Sequence, residues 1–362
     1  MILTQSFTEQ KTIAMPTLEN ALQTVLDKTV DNKKIFGTCF SIKKENFTWN
    51  GASGDLSVNQ PYYIASTTKL FTTALILQLK SSGKIDLEDN LSTYFEAEQL
   101  EGLHKFKGTD YSNQITVKQL LAHTSGIPDY FQDKTANGRS LEDELKSGND
   151  QSWSFEESLE RSKKLTPLFA PDTKTKAHYS DTNYQLLGKI IEIVTNKSYS
   201  ENCDENIINP LGLKDTYLYK DLNDYTPKNL YYKSSVLEIP KAMTSFGPDG
   251  GMVSTSSEML VFIEAFFTGK LFPINYIHEL KVWNKIFFPI QSGIGIHLFK
   301  LPWIFNPTGV IPYFMGHSGL SGALAYFSPT ENLYISGTVN QLAYPETSFK
   351  TMVKLTQKVL KG

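Results

Sequence analysis

Along this chain the apolar positions change texture twice, and each texture predicts different elements. Leu18, Leu22, Val25 and Thr29 recur at helical spacing behind Pro16 and Thr17, which predicts a first helix. Gly37–Lys43 and Phe47–Gly51 read as two strands, and the short polar link Lys44-Glu45-Asn46 makes them a hairpin. The densest apolar block follows: Leu70, Phe71, Ala74 to Leu77 and Leu79 lie on more than one helical face. A helix starting near Ser66 and buried nearly all round is expected, with Gly83 as its left-handed stop.

From about Leu87 to Leu230 alternating runs become rare and capped helices take over. Thr116-Val-Lys-Gln119 and Ser154-Phe-Glu-Glu157 are capping boxes that each open a helix, and Asn183–Ile193 is a third helix. Asp133–Ser140 and Lys146–Ser152 read as polar loops. From Gly247 the texture changes again. Thr255 and Glu258 cap a helix running to Phe267 and stopped by Gly269. Gly293–Phe299, Ile311–Met315, Gly322–Phe327 and Asn332–Thr338 read as consecutive strands, and Ser348–Leu360 as a closing amphipathic helix. Strands at both ends with helices between them predict an α/β (α+β) fold. An antiparallel sheet built from both ends is flanked by helices and carries an inserted helical region. The expected boundaries are 1–88 and 245–362 for the sheet region and 89–244 for the insertion.

Composition narrows the function classes. With 362 residues, 40 % of them hydrophobic and 12 % aromatic, the chain has material for a sizeable core. The net charge is −3 and the basic residues are scattered, which argues against a nucleic-acid surface. Gln78 and Lys80 cut the longest apolar run well short of a bilayer span, so no transmembrane segment is expected. Met1–Met15 lacks the apolar block of a secretory leader, and localisation is left open. Cys39 and Cys203 are too few for a disulfide framework, and Cys39 fits a small core residue.

The candidate chemistry starts at Ser66 and Lys69. Three residues make roughly 300° of helical turn, so both side chains share one face at the helix start. Free N–H groups and the positive dipole end lie there, and a lysine in apolar surroundings loses its proton more readily than a free one. Ser-x-x-Lys alone occurs by chance in many chains. Two later stretches change its weight. His178-Tyr-Ser-Asp-Thr-Asn183 puts Tyr179 on a loop just before a helix, although a loop tyrosine can equally pack its ring. Gly316-His-Ser-Gly-Leu-Ser-Gly322 reads as a glycine-rich turn between strands, where His317 can also merely cap a strand end. His123 is expected to be structural, hydrogen-bonding a loop. His104, His278 and His297 have no partners at metal-ligand spacing, so no metal site is expected. There is no Gly-x-Ser-x-Gly elbow and no phosphate loop.

Ser66-Thr-Thr-Lys69, Tyr179-Ser-Asp181 and His317-Ser-Gly319 stand in the order and rough spacing of three motifs, and with them the chain resembles the serine β-lactamase and penicillin-binding protein superfamily. It is most similar to the class C branch, which also holds D-amino-acid peptidases and esterases. Leu120–Pro128, Tyr184–Gly188, Asn209–Asp215 and Gly250–Thr255 extend the resemblance over about Phe36 to Asn340. The resemblance implies a serine hydrolase working through an acyl-enzyme on a small-molecule or peptide substrate, with no cofactor. Ser66 would be the nucleophile, with Lys69 and Tyr179 sharing the proton traffic. Free lysine and tyrosine have pKa values of about 10.4 and about 10, so both depend on their surroundings to act near neutral pH. The oxyanion hole maps to the backbone N–H groups of Ser66 and Leu320, beside Gly319. His317 stands where many lactamases carry lysine, and Asp181 where they carry asparagine. Histidine is largely neutral at pH 7, and an ionised aspartate cannot donate a hydrogen bond. Both departures point away from β-lactam hydrolysis. The alternative reading is a slowly acylated or inactive sensor or scaffold on the same fold. Specificity is expected to lie in loops 133–152 and 273–289.

Overall fold

The computed structural model describes residues 17–171 and 173–361. Pro16 and the stretch Met1–Met15, read as lacking a secretory leader, lie outside the described residues. The hairpin forms as its polar link predicts: Gly37–Lys44 (β1) and Phe47–Gly54 (β2) pair antiparallel, from Gly37 opposite Gly54 to Lys44 opposite Phe47. Six more strands come from the far end of the chain. They are Asn284–Phe287 (β3), Ile290–Ser292 (β4), His297–Phe299 (β5), Phe314–Ser318 (β6), Leu324–Ser328 (β7) and Leu333–Thr338 (β8). The eight strands stand in the order β3-β4-β5-β6-β7-β8-β1-β2, each neighbouring pair antiparallel. The pairing of β1 with β8 joins the two ends of the chain, with Cys39 opposite Thr338 and Lys44 opposite Leu333.

Period-two alternation explains how both faces of this sheet are covered. Phe40 and Ile42 share one cluster with Leu22, Val25 and Leu26 of the first helix, Leu18–Asp27 (α1), and with Met352 and Leu355 of the last helix. On the other face Cys39 joins the larger core, and Ser41 Oγ donates to Ser256 Oγ at 2.8 Å. The longer helices after α1 are Lys69–Ser81 (α2), Phe155–Lys163 (α3), Asp181–Thr195 (α4), Ser256–Thr268 (α5) and Glu346–Val359 (α6). As expected, α2 is buried nearly all round, from Lys69 through Leu77 and again at Leu79. Phe71 stacks on Phe262 of α5, with ring centroids 3.9 Å apart and planes 1° from parallel. Leu186, Leu187, Ile190 and Ile191 of α4 belong to the same core, so α2 is the shared wall of the sheet region and the helical region.

Four expectations need correction. Gly293–Phe299 is not one strand. Gly293 donates to Ile296 O at 2.7 Å and Gly295 has φ +72°, so the chain turns there and only His297–Phe299 joins the ladder. The turn exists to meet α2: a Cβ on Gly295 would lie 2.3 Å from Thr73 Cγ2. The strand expected at Ile311–Met315 starts later, at Phe314, because Pro312 has no N–H and the Asn306 side chain takes both backbone groups of Ile311. That strand then runs through Gly316 and His317, and the turn is confined to about 319–323. Several short helices fall in stretches expected to be loop or left unread, among them Leu141–Lys146, Tyr199–Cys203 and Pro240–Phe246. Leu141–Lys146 is opened by a capping box that ends in Asp143 rather than Glu or Gln.

The Phe71–Phe262 stack gives the first prediction. Phe71→Ala is expected to lower unfolding stability by about 3–5 kcal/mol, the usual cost of emptying a buried aromatic site. Urea unfolding checks it, read as a shifted midpoint at unchanged slope. A loss below about 1 kcal/mol would mean that this contact does not hold α2.

Candidate active site

Ser66 is positioned from its backbone outward. Tyr62–Tyr63 pairs antiparallel with Met252–Ser254, and Ile64 N–H donates to Met252 O at 3.1 Å. Ala65 then takes φ +46°, a left-handed conformation that costs a residue with a Cβ on the order of 1–3 kcal/mol. That reversal starts a tight 3₁₀ turn, Ala65–Thr68, which leads into α2. Ser66 therefore sits on the 3₁₀ turn and not in the first turn of the α-helix, as the spacing had suggested. The chain just after His317 approaches it closely. A Cβ on Gly319 would lie 2.7 Å from Ile64 O, 2.8 Å from Ala65 Cβ and 2.9 Å from Ser66 N. Ser321 Oγ donates to Tyr63 O at 2.8 Å and locks the 319–323 turn to this segment.

Lys69 is fully buried one turn on. Its Nζ donates to Asp181 Oδ1 at 2.5 Å and to the main-chain oxygen of Asp249 at 2.6 Å. The rings of Tyr179 and Tyr184 face it at 5.0 and 5.2 Å. Asp181 opens α4, where the helix dipole favours a carboxylate. Its N–H donates to Asp129 Oδ1 at 3.0 Å, so a second buried carboxyl serves the helix start in place of the Ser180 side chain, which makes no cap bond. A third carboxyl, Asp249, accepts from Tyr130 Oη and Gln185 Nε2, both at 2.9 Å. Burial, reinforced by the neighbouring Asp181 charge, pushes the Asp129 and Asp249 carboxyls well above the usual range.

Tyr179 is held from both sides of its own backbone. His123, itself at φ +58°, accepts His178 N–H on its carbonyl at 2.8 Å and Ser180 N–H on Nδ1 at 3.1 Å. Its ring lies on the Tyr179 ring, centroids 4.6 Å apart. Burial and the Asp181 charge push the Tyr179 phenol well up, while a hydrogen bond from the Ser66 side chain works the other way. His317 Nδ1–H donates to Ser318 O at 2.8 Å, and its ring stacks on His297 with centroids 3.8 Å apart. Burial holds His123 and His317 well below the usual histidine range, and pushes His297 down to about 3. His317 is therefore neutral and brings no fixed positive charge.

The sequence spacing suggested no histidine grouping, yet His123, His297 and His317 bring ring nitrogens within 4.8 Å of one another. Among the described residues His123 Nε2, His317 Nε2 and both nitrogens of His297 have no hydrogen-bond partner. The geometry is nevertheless poor for a metal ion. The His297 and His317 planes are only 24° apart, so their in-plane lone pairs run side by side and do not converge on one point. His123 Nδ1 already accepts a backbone hydrogen bond.

Two cavities meet at Ser66. The narrow one, about 60 Å³, is walled by Phe131, Leu237, Met243 and Phe246, with Asp181 at its polar side. The wide one, about 780 Å³, opens past Tyr179 and Gly319. Leu320 lines both. Every residue singled out in the sequence for this site is thus gathered around Ser66: Lys69 and Asp181 beneath it, Tyr179 beside it, and Gly319 and Leu320 across it. His317 lies on β6 behind Tyr179, with ring centroids 6.4 Å apart. Sequence reasoning missed Asp129, Asp249 and His297. Only the isolated acidic positions inside otherwise apolar or glycine-rich stretches could have flagged the two aspartates.

The Gly319 contact is directly testable. Gly319→Ala should displace the Ser66 backbone, and a misplacement near 1 Å costs on the order of a hundredfold in rate. Steady-state hydrolysis of a nitrophenyl ester, with far-UV circular dichroism as the folding control, measures it. Wild-type turnover by a folded Gly319→Ala protein would contradict the close approach.

Comparison with known proteins places the fold. The profile of the Beta-lactamase family matches residues 25–355. A Bacillus subtilis relative with a provisional penicillin-binding-protein name is 27 % identical over 78 % of this chain and 66 % of its own length. A D-stereospecific amidohydrolase from Streptomyces sp. superimposes with a TM-score of 0.74 at 25 % identity, covering 92 % of this chain and 97 % of that one. The D-amino acid amidase from Ochrobactrum anthropi SV3, in complex with D-phenylalanine, shares the fold with a TM-score of 0.79 at 21 % identity, over 96 % and 99 % of the two chains. The chain belongs to the Beta-lactamase family and has the fold of its serine hydrolases.

Proposed function

We propose that this serine hydrolase carries an amide or ester acyl group on Ser66 and then passes it to water. In this reading Lys69 first gives up a proton to enter the step as the neutral amine; Ser66 Oγ then attacks the substrate carbonyl carbon and its proton is taken up by the Lys69–Tyr179 pair, ending on Lys69 Nζ. The backbone N–H groups of Ser66 and Leu320 receive the developing oxyanion, where such donors act most strongly. When the intermediate collapses, the bond to the leaving group breaks and Tyr179 supplies that group with a proton. A phenol held above its usual pKa keeps its proton and suits this donor role. Water then repeats the sequence on the acyl-enzyme. The observation that carries the reading is the arrangement around Ser66: a hydroxyl at the junction of two cavities, a fully buried lysine one turn away and a half-buried tyrosine beside it.

His123 is assigned a positioning role through its two backbone contacts around Tyr179, and His317 a neutral wall. Asp181 fixes Lys69, and the narrow cavity beside it suits a compact acyl group. The amidohydrolase and amidase neighbours are named for D-stereospecific or D-amino acid chemistry, and a small chiral acyl group is consistent with that cavity.

Two experiments test the reading. Incubation with a fluorophosphonate, followed by intact-mass measurement, should add one label to the wild type and none to Ser66→Ala, with ester hydrolysis lost from the variant. Labelling of Ser66→Ala would move the nucleophile elsewhere, and slow or absent labelling of a wild type with no turnover would favour the sensor reading. The second is a double-mutant cycle. Lys69→Ala and Tyr179→Phe should each lower acylation at least about a hundredfold, and together should cost far less than the product of the two, because residues acting as one unit are non-additive. Multiplicative losses in the cycle would separate the two side chains.

A further inference from the structure

The two cavities at Ser66 are unlike in size, and the residue that would protonate the leaving group lines only one of them. Tyr179 borders the wide cavity, not the narrow one, while Asp181 borders the narrow one. A proton donor has to sit within hydrogen-bond reach of the atom that departs. On the reading above, the leaving half of the substrate therefore lies in the wide cavity and the acyl half in the narrow one. The chemistry of the wide cavity's wall then becomes informative. Phe287, Phe288, Phe299, Leu301, Phe305 and Phe349 supply much of its apolar lining, drawn from β3, β5, α6 and the connections between them. Phe288 and Phe305 are 73 % and 64 % exposed, and their rings meet edge to face at 6.1 Å. Trp303 and Ile304, which share a short turn with Phe305, are 77 % and 72 % exposed. So many large apolar side chains facing water around one opening mark a binding surface rather than a core. The lining also includes Glu346, Lys350 and Lys354 of α6, so the apolar wall is bordered by charge.

We propose that this cavity seats an extended apolar alcohol or amine, so that the substrates are esters or amides of a compact acid with an aliphatic or arylalkyl leaving half. The step balances simply. The Ser66 Oγ–acyl carbon bond forms, the bond from that carbon to the alkoxy oxygen breaks, and the Ser66 proton ends on the released alcohol. A cavity of about 780 Å³ falls in the range used for drug-sized ligands, whereas about 60 Å³ admits only a small group.

The test compares two ester series by proton release at constant pH, below the solubility limit of each compound. One series is acetate esters of ethanol, butanol, hexanol and octanol. The other is ethyl esters of acetic, butanoic, hexanoic and octanoic acids. The proposal expects kcat/KM to rise about threefold to fourfold per added methylene in the alcohol series while the chain stays inside the cavity. It expects a plateau or fall in the acid series. Phe288→Ser and Phe305→Ser, both at exposed positions that folding tolerates, should reduce the slope of the alcohol series. A flat alcohol series in a protein whose Ser66 is labelled by fluorophosphonate overturns this proposal and leaves the hydrolase reading standing. A rise confined to the acid series, or a slope untouched by both variants, overturns it as well. If no ester turns over and Ser66 stays unlabelled, the hydrolase reading falls and this proposal falls with it.

Discussion

A fully buried ammonium cannot be left alone. Removing an ion from water costs several kcal/mol, and a buried charge survives only with close partners. Lys69 meets that demand with the Asp181 carboxylate and the Asp249 carbonyl, and the three groups come from distant parts of the chain. The helix that carries Lys69, the start of the helix that carries Asp181 and the turn before Met252–Ser254 must all be in place before the ammonium is satisfied. The constraint thus ties the sheet region to the helical region at the point where the chemistry is read. It also reaches outward. Asp181 N–H donates to Asp129, and Asp249 accepts from Tyr130 and Gln185, so these contacts build the floor beneath Ser66 from three buried carboxyls and their partners.

Above that floor the site is aromatic and uncharged. His123 on Tyr179 and His297 on His317 form two stacked pairs, and burial keeps the imidazoles neutral. The charge near Ser66 is thereby concentrated in the lysine and its carboxylate, with little competition from the neighbouring rings. The Ser66 hydroxyl thus lies beside a buried lysine–aspartate pair and a phenol that keeps its proton, and the neutral histidines line the site without adding a second cation.

How much of this could be read from the residues depended on whether a feature was local. Ser66 with Lys69, Tyr179 with Asp181, and His317 with Gly319 each occupy a few consecutive positions, so their spacing survives in one dimension. The capping boxes at Thr116 and Ser154 and the hairpin at Lys44–Asn46 were legible for the same reason. Asp129, Asp249 and His297 were not, because they reach the site only through tertiary packing. The strand errors have the same origin. Ile294 and Ile296 look like strand alternation, yet their burial comes from a turn pressed against Thr73. Ile311 looks like a strand start, yet a side-chain amide from Asn306 has taken its backbone. Hydrophobic pattern reports which residues are buried, and only partner geometry reports what they are buried in.

The pairing of β1 with β8 has a consequence for how the molecule is assembled. A ribosome releases Gly37–Lys44 long before Leu333–Thr338 exists, so the hairpin of β1 and β2 waits with one edge unpaired for most of synthesis. Contacts of such sequence separation carry a loop-closure cost that local helices do not, and they slow folding. The helical middle of the chain can organise locally during that wait, but the sheet can close only near the end. An unpaired strand edge is also a template for another chain. The same pairing that completes the mature sheet therefore makes the nascent protein dependent on its last strands, and any truncation before Leu333 leaves β1 with an open edge and cuts the hairpin off from the rest of the sheet.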